Sequence, residues 1–369
     1  MKIICDRKQL VDAVLNVQRA VSSKSSVPAL EGILIQTKEN GIYLCGYDLE
    51  LGMTTFLPAQ IQETGSIVLS ARLFGDIVRR LPADTVSLSV DEKNMAAIVS
   101  GPSEFSIVGI PAEEYPELPS ISDELSVELP HGLLKSMIRQ TLFAVSDSDA
   151  KPVHTGTLFE LSESRLRLVS VDGYRLAVRE EPVRCPKATT FVVPGKTLGE
   201  VMKLLGDGDE TLTLQVGSRH ILFQIGDYSL ISRLLEGEFL DYNAAIPESS
   251  STEITVNTRT FIDSVERVSL LITDRLKSPV RCVFSEQSIK VSCATSIGRA
   301  NDELSAAVSG DAVEMGFNNR YLLDALRNTE CDEVKVQLNG ALSPMKVLPK
   351  EGNSFLFLVL PVRLKNDVF

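Results

Sequence analysis

The sequence predicts an α+β fold made of three copies of one unit, each copy two helices packed on an antiparallel sheet. Three observations predict it. A helix-like string recurs at a spacing of about 124 residues, as Ser70–Leu81, Pro194–Leu205 and Asn318–Thr329. Cations stay in register through the recurrence: Arg72 with Lys196 and Arg320, then Arg79 with Lys203 and Arg327. Runs between these strings alternate apolar and polar residues, as half-buried antiparallel strands do. So long a period belongs to domain repetition, since solenoid and propeller repeats run to roughly 20–50 residues. Composition breaks at Pro116–Glu124 and Ile246–Thr252 put the three domains at 1–121, 122–249 and 250–369.

Each copy opens with a helix. In the first, Leu10, Val11, Val14 and Val17 fall at helical spacing within Arg7–Val21. In the second, Leu133, Leu134, Met137 and Ile138 follow Pro130-His-Gly. In the third, Asn257-Thr-Arg-Thr reads as a capped start before Phe261, Val265 and Val268. A turn with proline comes after each helix, at Pro28, Pro152 and Pro279, and strands follow, among them Gly32–Thr37 and Arg165–Val171. The recurring string is the second helix. Leu73, Phe74, Ile77, Val78 and Leu81 form its apolar stripe, with Arg72 and Arg79 together on the opposite face. Strands such as Val86–Val90 and Thr211–Val216 close the copies.

The net charge of -12 argues against a protein that coats nucleic acid or an anionic membrane with its whole surface, yet it leaves room for one basic face. The six cysteines contain no C-x-x-C pair and mostly sit in apolar runs, the pattern of buried thiols in a reducing compartment. With no run of ~18 apolar residues and no signal-peptide layout, a soluble cytoplasmic protein is expected. His131, His154 and His220 lack ligand spacing, so neither metal nor cofactor is expected. Gly206–Glu210 is acidic without the spacing of a calcium loop and reads as a solvated turn. Asp172-Gly-Tyr-Arg175 is the nearest thing to an active-site string. No nucleophile or second carboxylate accompanies it, so Asp172 reads as the holder of an Asx turn. An enzyme acting through Asp172 stays as an alternative.

Seven strings then carry a resemblance: Met1-Lys-Ile, Val27-Pro-Ala-Leu30, Tyr47-Asp-Leu-Glu50, Phe105-Ser-Ile107 with Pro116-Glu-Leu-Pro119, Val171-Asp-Gly-Tyr-Arg-Leu-Ala177, Gly237-Glu-Phe-Leu-Asp-Tyr242 and Leu360-Pro-Val-Arg-Leu364. In order and spacing the chain resembles the bacterial DNA sliding clamps, the beta subunits of replicative DNA polymerase III, over nearly its full length. The resemblance implies three clamp domains per chain and a ring closed as a head-to-tail homodimer. It implies a non-catalytic processivity factor for DNA replication that encircles duplex DNA without reading its sequence. Phosphate contacts alone suit such sliding.

The resemblance also implies site residues. Lys24, Arg72, Arg79, Arg80, Ser148, Lys151, Lys196, Lys203, Arg320 and Arg327 would face DNA. A groove for short linear peptides of the polymerase, the clamp loader and repair polymerases would be lined by His154, Val171, Gly173, Tyr174, Arg175, Leu176, Leu240, Pro344, Met345, Leu358, Leu360, Pro361, Val362 and Arg363. Of these, Leu176 and Leu358 read more simply as core. Phe105 and Ile107 of one copy would meet Leu271 and Ile272 of the other.

The chain departs from the family pattern at His154, where an aliphatic residue is usual, and at Asn243-Ala-Ala245. It also continues past Arg363-Leu364 as Lys365-Asn-Asp-Val-Phe369, whose Val-Phe end resembles a clamp-binding peptide. That tail is expected either to fray or to compete for the groove. A clamp-like paralogue from a mobile element, serving as a scaffold, is a further alternative.

Overall fold

The computed structural model describes residues 1–121, 125–273 and 275–364. The tail Lys365–Phe369 lies outside the described residues. The first repeat runs β1 (Lys2–Asp6), α1 (Arg7–Val17), β2 (Gly32–Lys38), β3 (Gly41–Tyr47), β4 (Leu51–Pro58), β5 (Gln60–Glu63), β6 (Ser66–Ser70), α2 (Ala71–Arg80), β7 (Thr85–Val90), β8 (Met95–Ser100) and β9 (Ser103–Val108). The second runs β10 (Leu125–Pro130), α3 (His131–Leu142), β11 (Gly156–Ser162), β12 (Arg165–Val171), β13 (Arg175–Pro182), β14 (Thr189–Pro194), α4 (Gly195–Leu204), β15 (Thr211–Val216), β16 (His220–Ile225) and β17 (Tyr228–Arg233). The third runs β18 (Thr252–Asn257), α5 (Thr258–Ser269), β19 (Val280–Ser285), β20 (Ser288–Thr295), β21 (Gly298–Ser305), β22 (Ala307–Gly310), β23 (Val313–Phe317), α6 (Asn319–Arg327), β24 (Glu333–Leu338), β25 (Met345–Pro349) and β26 (Phe355–Val359). The element order is the same in all three, save that β5 and β22 have no counterpart in the second.

Local chemistry explains the helix starts. The side chains of Asp6 and Asn257 accept from the amides of Gln9 at 2.8 Å and Thr260 at 2.9 Å, satisfying donors that the first turn leaves orphaned. Asn318 does the same for Arg320 at 2.9 Å. The first helix stops at Val17 and tightens into a 3-10 turn at Gln18–Ala20, short of the expected Val21. The second helices bury matched positions: Phe74, Leu198 and Leu322 are all fully enclosed.

Two expectations are corrected. Leu73 is 47% exposed and does not belong to the apolar stripe of α2, whose buried side is Ala71, Phe74, Gly75, Ile77 and Val78. At 100° per residue Leu73 falls beside Arg72, on the outer face. The repeats also do not each sit on one sheet. The strands form four sheets, in the orders β5-β1-β7-β8-β9, β10-β15-β16-β17-β4-β3-β2-β6, β14-β11-β12-β13-β26-β25-β24-β18-β22 and β21-β20-β19-β23. The two large sheets each join strands of neighbouring repeats. The seams follow one rule: the last strand of a repeat pairs antiparallel with the long strand of the repeat before it, β17 on β4 and β26 on β13.

The chain divides into two compact units. One comprises Met1–Gly132 with Lys203–Leu234 and holds the five- and eight-stranded sheets. The other comprises Leu133–Met202 with Leu235 onward and holds the nine- and four-stranded sheets. In the first unit α1 and α2 pack together and onto strands of both its sheets; in the second, α5 and α6 do so. Among the described residues no helix is long and apolar enough to cross a membrane.

Candidate functional site

The matched cations occupy matched places. Arg72, Lys196 and Arg320 are each the second residue of their helix, and Arg79, Lys203 and Arg327 the ninth. All six are exposed, as are Arg80, Lys24, Ser148 and Lys151. Some of this charge is already engaged. Arg79 and Arg80 both bind Asp76, the latter at 3.2 Å, and these hydrogen bonds hold the Asp76 carboxyl below its ordinary range. Arg327 donates to Glu266 at 2.7 Å.

A second site lies wholly within the second unit, at the β13–β26 seam. Asp172 holds the turn before β13, accepting from the amides of Tyr174 at 2.8 Å and Arg175 at 3.0 Å. Gly173 at the tip has φ +88°, where a side chain would be strained. Asp172 is thus the Asx-turn residue expected, and its second oxygen accepts from Arg175 Nε at 3.0 Å. Arg175 also pairs with Asp324 of α6 and lies 4.6 Å over the ring of Tyr321 and 5.7 Å over that of Phe143. Tyr321 stacks on Tyr174 at 5.6 Å. Leu360 closes the seam by donating its amide to the Tyr174 carbonyl at 2.9 Å.

Exposed apolar surface gathers here. Tyr174, Leu240, Leu360 and Val362 are 59%, 45%, 39% and 42% exposed, and Arg363 is exposed beside them. Such a patch on an otherwise acidic, polar surface marks an interaction site. Val171, Leu176 and Leu358 are buried together in one core cluster beneath the patch, Met345 is buried in the other core cluster, and Pro344 and Pro361 are half-buried. The linker wall is pinned by Tyr242, whose hydroxyl donates to Glu160 at 2.7 Å and accepts from Arg167 at 2.9 Å. His154 meets Phe239 of that linker edge-on at 5.4 Å. Burial, and then Lys151, hold the His154 pKa below its ordinary value.

Sequence reasoning missed Phe143, Tyr321 and Asp324. No motif marks them, but Tyr321 is the third residue of the recurring helix, where the other copies carry Leu73 and Thr197. The β4–β17 seam repeats the same frame. Asp48 accepts from Glu50 at 3.1 Å and Leu51 at 2.7 Å, and Arg233 donates to the Glu50 carbonyl at 2.9 Å. There the linker sits down on the sheet: a Cβ on Gly52 would lie 2.7 Å from Leu118 Cδ2.

The N-terminal, central and C-terminal domain families of the DNA polymerase III beta subunit match residues 1–119, 128–241 and 243–363 in turn. The chain belongs to the DNA polymerase III beta subunit family. The beta sliding clamp of Bacillus subtilis is 35% identical over 98% of this chain and all of its own length. A crystal structure of the B. subtilis sliding clamp superposes with a TM-score of 0.96 at 34% identity, over 99% of this chain and 100% of that one. The sliding clamp of Bartonella birtlesii, solved bound to griselimycin, is 30% identical with a TM-score of 0.93, again over 99% and 100%. Family membership accounts for the α+β triplication and favours a binding protein over an enzyme built on Asp172.

Proposed function

We propose that this chain is a DNA sliding clamp, the processivity subunit of a replicative polymerase. It holds duplex DNA without reading sequence, does no chemistry itself, and tethers partners by short peptides. The observation that carries this reading is the threefold recurrence of cations at the second and ninth positions of α2, α4 and α6. Equal placement gives each copy a basic helix face for phosphates, and phosphate contacts are indifferent to sequence. Lys24, Arg80, Ser148 and Lys151 join this set. We take the repeats as 1–121, 122–249 and 250–369, and the protein as cytoplasmic.

The seam rule supports a head-to-tail dimer. The last strand of the first repeat, β9, and the long strand of the third, β21, stand at sheet edges among the described residues. Pairing β9 of one copy with β21 of another continues the rule and, done twice, closes a ring. On β9, Phe105 and Ile107 lie on the same face as the buried Ile98 and Ala96 opposite them. Leu271 and Ile272 follow α5, which packs on β21. In peptide binding, the exposed groove at the β13–β26 seam takes partner segments. The structure of the griselimycin-bound relative supports a small-ligand site in this family.

A closed ring is tested by topology. The dimer, placed on nicked circular duplex, is expected to stay bound as salt is raised and to be lost when the circle is linearised. Binding through charge alone falls with salt on both forms. Equal loss from circle and line rules out the ring.

A further inference from the structure

The repeat shows where the groove was altered. In the first copy the proline turn reads Pro28-Ala-Leu30-Glu31, and Leu30 is 1% exposed, packed with Tyr115. In the second copy the same turn reads Pro152-Val-His154-Thr155. His154 holds the place of Leu30, and Phe239, which it touches, holds the place of Tyr115. His154 is only half-buried. Where the first copy has a buried leucine the second has an imidazole, at the seam that exposes the apolar patch.

We propose that His154 is a specificity-determining residue of the peptide groove, selecting partner peptides that place an acidic side chain next to their apolar anchor. The inference rests on the groove reading above. The backbone of the turn is fixed: the His154 amide donates to the Lys151 carbonyl at 2.9 Å and its carbonyl accepts from Ser146 at 2.8 Å. The ring is fixed by Phe239, whose neighbour Leu240 is the exposed apolar wall. Val153, one residue before, is buried in the floor with Leu176 and Leu358. The imidazole therefore stands at the border of an apolar patch, where it is the group able both to donate a hydrogen bond and to gain charge. A neutral imidazole donates to a carboxylate, and an incoming carboxylate favours its protonation.

The charged groups around the ring are few. Lys151 lies on its own turn, Asp147 and Asp149 on the preceding loop, and Glu236, Glu238 and Asp241 on the linker. Of the strands packed on the turn, β11 offers Glu160, already bonded to Tyr242, and β14 offers none. Burial, and then Lys151, hold the ring's pKa below its ordinary value, which favours the neutral form. A carboxylate ligand raises its pKa, so binding of an acidic peptide strengthens as pH falls towards 6.

The test uses the full-length protein and synthetic hexapeptides ending in an aliphatic-phenylalanine pair, with aspartate or alanine at each other position in turn. One aspartate position is expected to improve binding about fivefold at pH 6 relative to pH 8, beyond its alanine partner. In His154→Leu the pH-dependent advantage of that aspartate peptide over its alanine partner disappears, whatever the change in affinity common to both. Leu30 shows that the turn accepts leucine. A gain that persists in His154→Leu, or no aspartate position with a gain, overturns the role of His154. Peptide affinity unchanged by Leu360→Glu overturns the groove reading, and the inference with it.

Discussion

The guanidinium of Arg175 lies 4.6 Å above the ring of Tyr321, so the turn that opens β13 is bolted to the first turn of α6. The same guanidinium serves Asp172 and Asp324, and the side chains of Arg175 and Asp172 are both about nine-tenths buried. Removing the cation leaves an enclosed carboxylate without its partner, which costs about 3 kcal/mol. Arg175→Ala is expected to lower the unfolding midpoint by that measure and to weaken peptide binding. Arg175→Lys recovers little, since an ammonium neither forks between two carboxylates nor stacks. Denaturant titration with a parallel peptide assay checks both.

Dimer closure makes a second set of expectations. Leu271→Glu with Ile272→Glu is expected to yield monomers in sedimentation velocity; a dimer that survives removes that interface. Two further residues join it by the seam rule. Tyr174 precedes β13 and stacks on Tyr321, the third residue of α6. Their counterparts at the open ends are Ile297, 64% exposed before β21, and Leu73, 47% exposed on α2. Leu73→Cys with Ile297→Cys is expected to give a disulfide-linked dimer under oxidation. A dimer that forms no cross-link breaks the assignment of this pair alone.

Asp76 engages both Arg79 and Arg80, so on the proposed DNA-facing surface it would compete with phosphates for them. Asp76→Asn should therefore tighten non-specific binding to linear duplex and steepen its salt dependence, each added phosphate contact contributing a slope of about 0.9. Fluorescence anisotropy across a salt series reads this directly. Arg320→Ala is expected to move the slope the other way.

Burial pushes the thiols of Cys5, Cys45 and Cys282 up to about 12 from an ordinary 9.0. The folded state keeps protons that the unfolded chain releases, so stability holds below pH 9 and falls as pH rises from about 9 to about 12. Chemical denaturation at pH 8 and pH 10.5 should show the loss, reduced in Cys45→Ala. Native-state labelling by a thiol reagent should reach the half-buried Cys331 first.

The sequence made the triplication readable because homologous copies preserve helical periodicity and charge, which are local signals. β12 and β15 match their expected spans residue for residue for the same reason. Sheet membership was not readable. Which strand lies beside β4 is decided by pairing with β17, about 180 residues away, and alternation reports a buried face but not a neighbour. Leu73 misled because an exposed leucine and a core leucine are the same letter. At the β13–β26 seam the resemblance pointed to Tyr174 and Leu360, and both are exposed there. Asp324 was not, since a carboxylate on a helix face gives no sign of the guanidinium folded against it.

The seams β4–β17 and β13–β26 separate two ideas that repetition tends to merge. Each copy of about 124 residues is a unit of inheritance, but it is not a unit of folding. A gene fragment ending near residue 121 supplies β4 without β17, and one starting near 250 supplies β26 without β13. Each fragment carries a raw, aggregation-prone strand edge where the full chain has a continuous sheet. A single copy of such a domain would have to find the missing strand in another molecule, and the present chain makes two of those joints within itself.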